Sequence, residues 1–153
     1  TQIRKEPLGI TGAIYKRLWL LDKDIEQLNR AINYYGKCFK IRSDYYTGEN
    51  YALCLEFMSK ENIDADEKIY FKIEAKRTRE RIINLLSEMY QDESFKQRND
   101  KMWVYATLAN CYFAVDNTEK AKEFEALFEL ENPVDWETQT FLDSKDHLLN
   151  LKK

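Results

Sequence analysis

The stretch from Tyr105 to Pro133 constrains this chain more than any other. It sets an aromatic at Tyr105, then Leu108 and the small Ala109, then Tyr112, Ala121 and finally Pro133. Small residues at these places let two antiparallel helices approach closely, and the aromatics fill the gap to the next helix pair. Proline ends the second helix because it lacks an N–H and clashes with the preceding turn. One slot departs: the position four after Ala121 is Glu125, with Phe124 and Phe128 as the nearest aromatics. A helix pair of this kind cannot bury its apolar face alone, so the spacing predicts neighbours of the same build.

The spacing is that of a tetratricopeptide repeat, a unit of about 34 residues. Tyr15, Leu18, Ala31 and Tyr35 stand at the same mutual offsets and mark a first repeat, although its small-residue slot holds Trp19 and its proline slot Ser43. Gly48, Tyr51, Ala52 and Leu55 resemble the first helix of a middle repeat. That middle repeat runs long, with roughly 23 residues inserted beyond the usual unit. The expected fold is all-α: a short α-solenoid of about three tetratricopeptide-like helix pairs, with repeats over 9–43, 44–98 and 99–133 and a capping helix over 135–151.

Length and composition agree with one domain of this class. The 153 residues fall in the usual range of about 100–200 for a domain. Four Gly and two Pro are too few for the many turns of a sheet-rich protein, and 44% hydrophobic residues can fill a core. A net charge of −3 does not suit a general nucleic-acid or anionic-membrane surface, so neither partner is expected. Cys38, Cys54 and Cys111 are isolated in apolar helical contexts and read as small buried hydrophobes. With His147 the only histidine, no metal-ligand spacing exists, and no metal or cofactor is expected. No long apolar run is present and the opening TQIRKEPLGI lacks a leader layout, which points to a cytoplasmic protein. The chain begins with Thr and reads as part of a longer protein.

Periodicity places helices over about 9–21, 25–41, 46–60, 65–90, 99–115, 118–130 and 136–151. In the first, Ile10, Ile14, Leu18 and Leu21 recur at helical spacing; in the second, the core face is Ile25, Leu28, Ala31, Ile32, Tyr35 and Phe39. Gly36 inside that run suggests close approach to another helix, or tolerance near a helix end. Asp24, Asp44, Asp64 with Glu67, and Asp135 read as N-terminal caps. The polar 91–98 segment reads as a loop, and the basic run Lys76 to Arg81 as a solvated face or an anion-binding patch.

In repeats of this kind the first helix of each pair lines the concave side. By offset this selects Ala13, Lys16 and Leu20, then Tyr46, Glu49 and Asn50, then Trp103, Ala106, Asn110 and Phe113. Cations, amides and aromatics together can hold a carboxylate or phosphate while a ring stacks on a flat group. The junction segment Arg42-Ser43-Asp44-Tyr45-Tyr46-Thr47-Gly48-Glu49-Asn50 is hard to explain as packing, because adjacent tyrosines on a helix cannot both face the core.

GAIYKRLW, YYGKCFKIRSDYYTGENYA, WVYATLANCYFAVDNTEKA and NPVDWET together resemble the tetratricopeptide-repeat TRAFs-binding domain, found in the regulatory region of apoptosis-signal-regulating kinases and in bacterial proteins. The likeness runs from about Leu8 to Thr140 and departs over Glu61 to Lys68. It implies a regulatory module that works through partner binding, and in bacterial relatives a part in stress or defence signalling with nucleotide-derived ligands. It carries over Lys16, Arg17, Arg42, Asp44, Tyr45, Tyr46, Gly48 and Asn50.

The expected function is a non-catalytic regulatory or scaffold module that binds a protein partner through its concave face. The alternative is a sensor for a small anionic ligand, such as a nucleotide or NAD-derived signal, held by Lys16, Arg17, Arg42, Tyr46, Asn50 and Trp103. An enzyme would need a nucleophile with a base, paired carboxylates in a cleft, or a metal cluster. The acidic residues here instead scatter among lysines along helix surfaces, so catalysis is not expected.

Overall fold

The computed structural model describes residues 5–153, with side chains from residue 8 onward. Residues 1–4, part of the opening stretch in which no leader is read, lie outside the described residues. All regular structure among the described residues is helical: α1 Lys5–Asp22, α2 Ile25–Arg42, α3 Tyr45–Ser59, α4 Ala65–Gln91, a 3-10 turn Glu93–Gln97, α5 Lys101–Ala114, α6 Thr118–Leu130 and α7 Asp135–Leu151. The fold is thus all-α and of the tetratricopeptide-like α-solenoid class. Within α4 the chain divides into two compact units, one ending at Thr78 and one spanning Arg79–Lys153.

The first unit is organised by short turns. Only Lys23 and Asp24 separate α1 from α2, so the two helices must pack as antiparallel neighbours. Asp24 accepts from Glu26 N–H at 3.0 Å, and Lys23 takes a left-handed conformation with φ 57°. The α2–α3 corner repeats the device: Ser43 is left-handed and returns its N–H to the Phe39 carbonyl at 2.7 Å, while Asp44 caps Tyr46 N–H at 3.2 Å. Asp64 likewise caps Asp66 N–H at 3.1 Å, but no hydrogen bond from Glu67 completes the box among the described residues.

Leu28, Ala31, Ile32, Tyr35, Cys38 and Phe39 of α2 and Tyr51, Ala52, Cys54, Leu55 and Met58 of α3 form the buried interior. Ile25, expected in that face, is 37% exposed because it opens the helix beside the turn. The apolar residues of α1 also divide differently from their periodicity: Ile10, Ile14 and Leu21 are exposed, and Trp19 is buried. Close approach decides this. A Cβ on Gly12 would sit 3.0 Å from the Tyr35 ring, so the glycine face of α1 is the one that packs. A Cβ on Gly36 would sit 2.8 Å from Tyr51 Cε1, which answers why a glycine stands in mid-helix.

In the second unit the expected loop holds a 3-10 turn, because Phe95 buries its ring 5.3 Å from Tyr90 and 5.7 Å from Tyr105. Asp92 caps that turn through Ser94 N–H at 2.9 Å. Phe124 stacks on Tyr112 at 5.8 Å, and Phe128 on Phe141 of α7 at 4.7 Å, so aromatics on either side of Glu125 do the packing expected of that slot. A fully buried ring of this size contributes about 1.5–3 kcal/mol. Asp135 does not cap α7 but lies in its first turn; Val134 precedes the helix and gives its N–H to the Glu137 carboxylate at 2.9 Å. Within the basic run, Arg79 is not solvated: it is 1% exposed and donates from Nη1 to Cys111 Sγ at 3.7 Å. All three cysteines are buried.

Gly→Ala in a helix interior ordinarily stabilises by about 0.5–1 kcal/mol. At Gly36 the buried Tyr51 ring reverses the sign, and Gly36→Ala should destabilise by about 1–3 kcal/mol through overpacking. Urea unfolding checks this; a midpoint at or above the parent's would mean that the ring yields without cost.

Candidate functional site

α1 brings Lys16 and Arg17 to the corner where α3 begins. Lys16 Nζ donates to Asn50 Oδ1 at 2.7 Å, a length typical of a charge-assisted bond. Asn50 gives its Nδ2 to the Tyr46 carbonyl at 3.0 Å, so both ends of its amide are engaged and its orientation is fixed. Asp44 is held as the N-cap of α3, and its carbonyl also accepts from Thr47 Oγ1 at 3.1 Å. The helix thus presents Tyr46 and Asn50 in consecutive turns of one face.

Tyr46 is 56% exposed and Tyr45 half-buried, as two adjacent tyrosines on one helix require. The Tyr46 hydroxyl is held above its ordinary pKa by partial burial and by the negative charges of Asp44 and Glu49; Asn50 and Arg17 pull it the other way. Arg17 is exposed and makes no ion pair among the described residues, and its charge reaches the hydroxyls of both Tyr35 and Tyr46. Arg42, in the last turn of α2, is half-buried and also lacks an ion pair among the described residues. No bond ties it to Lys16, Asn50 or Tyr46.

Two neighbours of the corner escape a reading by motif. Tyr35 occupies a repeat packing slot, yet its hydroxyl lies within reach of the charges of Cys54, Tyr46 and Arg17, and burial raises its pKa strongly. Cys54 is fully buried; burial pushes its thiol up to about 12, while Lys16 pulls it down and Glu56 raises it. Both are legible only once three helices are packed.

Four other sequence-selected residues, Trp103, Ala106, Asn110 and Phe113, lie on α5, in the second unit. Trp103 is half-buried, with its ring 6.1 Å from that of Trp136, which is 65% exposed and which spacing marked only as the start of a helix. Asn110 is buried and borders a small cavity. Ala106 is buried, and Phe113 carries the Lys152 ammonium 5.1 Å from its ring centre. In the first unit Ala13, Leu20 and Glu49 are half-buried.

The Lys16 corner has the chemistry to bind an anion. Arg17 offers a planar fork, Lys16 an ammonium that bonds the Asn50 amide, and Tyr46 an open ring face. Among the described residues no group of three or more His, Cys, Asp or Glu could hold a metal ion. None of their helices is long and apolar enough to cross a membrane.

A family model described as Tetratricopeptide Repeats-Sensor, TPR-S, matches residues 1–55, a little over a third of the chain. The matched stretch contains Lys16, Arg17, Arg42, Asp44, Tyr45, Tyr46 and Asn50, and it supports a tetratricopeptide-like domain. No curated protein and no solved structure matches the chain. Tetratricopeptide-like repeats are typically non-catalytic modules for protein interaction or sensing.

The buried thiol beside Lys16 sets a pH dependence. In the unfolded chain Cys54 ionises near its ordinary value of 9.0, whereas in the fold it keeps its proton up to about 12. Above about pH 9 the unfolded state therefore sheds a proton that the folded state retains, and stability falls as pH rises toward 12. Tyr51, raised from 10.0 to about 12, acts in the same direction. Urea midpoints measured between pH 8 and pH 11, an interval chosen around that ordinary value of about 9, should fall more steeply in the parent than in Cys54→Ala. Equal slopes would remove Cys54 from the account.

Proposed function

We propose that this chain is a non-catalytic sensor module whose Lys16–Arg17–Tyr46–Asn50 corner binds a small anionic ligand of the nucleotide or NAD-derived class. The observation that carries the reading is the Arg17 guanidinium, which has no carboxylate partner among the described residues, beside the Lys16–Asn50 bond. Lys16 is held by the uncharged oxygen of Asn50 at 2.7 Å, and Arg17 makes no ion pair among the described residues. A phosphate can accept from the Arg17 fork without displacing a carboxylate from it, and Lys16 is the adjacent residue on the same helix. The exposed ring of Tyr46 supplies a surface for a flat base. The match to a family described as a sensor, over the stretch that contains these residues, supports the same reading.

A second reading rests on a different observation. Trp136, exposed beside Trp103, makes with it an aromatic pair on the second unit of the kind that anchors a protein partner, and Leu130 and Val134 are exposed a few residues before it in the chain. In this reading the module is a scaffold or regulatory domain. The resemblance to the TRAFs-binding domain of kinase regulatory regions points the same way.

Thermal unfolding against a panel of nucleotides and NAD-derived compounds tests the first reading. A ligand that binds only the folded state adds roughly 2.7 kcal/mol at 100 times its dissociation constant. A nucleotide should raise the midpoint of the parent, and Arg17→Gln and Tyr46→Ala should abolish the rise while unfolding normally without ligand. No rise with any compound, or a rise unchanged in both variants, excludes this corner and leaves the partner surface, where Trp136→Ala is the variant to test.

A further inference from the structure

The repeat slot that calls for an aromatic holds Glu125, and beside it the second unit contains a cavity of about 90 Å³. Ala121 and Phe113 form apolar walls, and Lys122, Glu125 and Lys145 stand among its other lining residues. Glu125 is not idle there. It pairs with Lys145 of α7 at 2.9 and 3.2 Å, so one lysine of the lining is already neutralised.

Asn110 and Lys122 are among the polar groups of the lining that are not committed. Asn110 is 3% exposed and borders the cavity, and its side-chain amide makes no hydrogen bond among the described residues. No atom of Asn110 is among the fully buried side-chain atoms left without a partner in the described residues, so its amide meets open space and can bond a group placed in the cavity. Lys122 is exposed and makes no ion pair among the described residues, which leaves the lining one positive charge in excess.

We infer that this cavity is a second ligand site, separate from the Lys16 corner, which takes a carboxylate on a short apolar stem. Size sets the stem. An apolar cavity of about 150 Å³ admits benzene, with its six heavy atoms, so about 90 Å³ admits roughly four. Four heavy atoms make a carboxymethyl group, the head of acetate and of an aspartate side chain. The carboxylate accepts from Asn110 Nδ2 and meets the Lys122 ammonium, and its methylene lies against Phe113 and Ala121. The Lys145–Glu125 pair stays intact. The group can arrive on a free small acid or on an aspartate of a bound polypeptide.

The test is a titration of the ¹⁵N-labelled 153-residue chain, followed at the Asn110 side-chain NH₂ resonances. The probes are sodium acetate, sodium chloride at matched ionic strength, and a blocked tripeptide with a central Asp beside its Asn counterpart. Saturable shifts with acetate and the Asp peptide, absent with chloride and the Asn peptide, are expected. Lys122→Gln, on the surface, should weaken binding at least about tenfold without disturbing the fold, equivalent to about 1.4 kcal/mol. Asn110→Leu should abolish it. Binding of both probes shows that the free acid suffices; binding of the Asp peptide alone assigns the source to a polypeptide, and either supports the site. Resonances that do not move, that move alike with chloride, or that move equally in Lys122→Gln overturn it.

Discussion

Two tyrosine rings pressed against glycine set the spacing on which the first unit depends. Tyr35 lies against Gly12 and Tyr51 against Gly36, each so closely that a Cβ would stand 3.0 Å or less from the ring. The contacts hold α1 to α2 and α2 to α3 at distances that larger residues could not allow. Everything at the corner follows from that closeness. Lys16 can reach Asn50 across the intervening helix only because both flanking helices are drawn in. Cys54 loses contact with water for the same reason, and its thiol is raised accordingly.

The two proposed sites use opposite strategies. At the Lys16 corner the Asn50 amide is fully engaged and Arg17 is a cation without a carboxylate partner among the described residues, so a ligand enters by pairing with that charge. At the Glu125 cavity the charges are largely settled and the amide is the idle member, so a ligand enters by filling space. A departure from the repeat spacing underlies the second case. Because Phe124 and Phe128 already pack on Tyr112 and Phe141, the slot between them is freed from core duty and can carry a carboxylate.

Much of the fold was legible in the sequence because helix ends and repeat packing are local or periodic properties. Asp24, Asp44 and Asp64 act as caps, and α6 spans the residues that periodicity assigns to it. What failed depended on contacts between distant segments. Ile10 and Ile14 have the spacing of a core stripe, but the close fit of Gly12 to Tyr35 turns that stripe outward. Phe95 sits in a polar segment and gives no periodic signal, yet a single ring suffices to order it. Arg79 reads as one charge in a basic run, and only its burial beside Cys111 separates it from Arg77 and Arg81. At the candidate site the chain's own motif placed Lys16, Tyr46 and Asn50 together, whereas the part taken by Tyr35 and Cys54 depends on a three-helix junction. Nothing in the spacing distinguished Asn110 as an uncommitted amide.

The turns of this protein suggest how its sequence can drift. Its backbone enters the left-handed region at Lys23, Ser43, Asp116 and Asn132, and at no described glycine. Lys23 and Ser43 hold a strain of about 1–3 kcal/mol that a glycine would relieve, whereas Asp116 and Asn132 are of the types that tolerate this conformation and Asp116 also pairs with Lys152. All four lie in connections between helices, away from the packed interior. The molecule therefore keeps a store of untried stabilising changes outside both proposed sites, and destabilising substitutions acquired within those sites can be absorbed there without altering the helices that carry them.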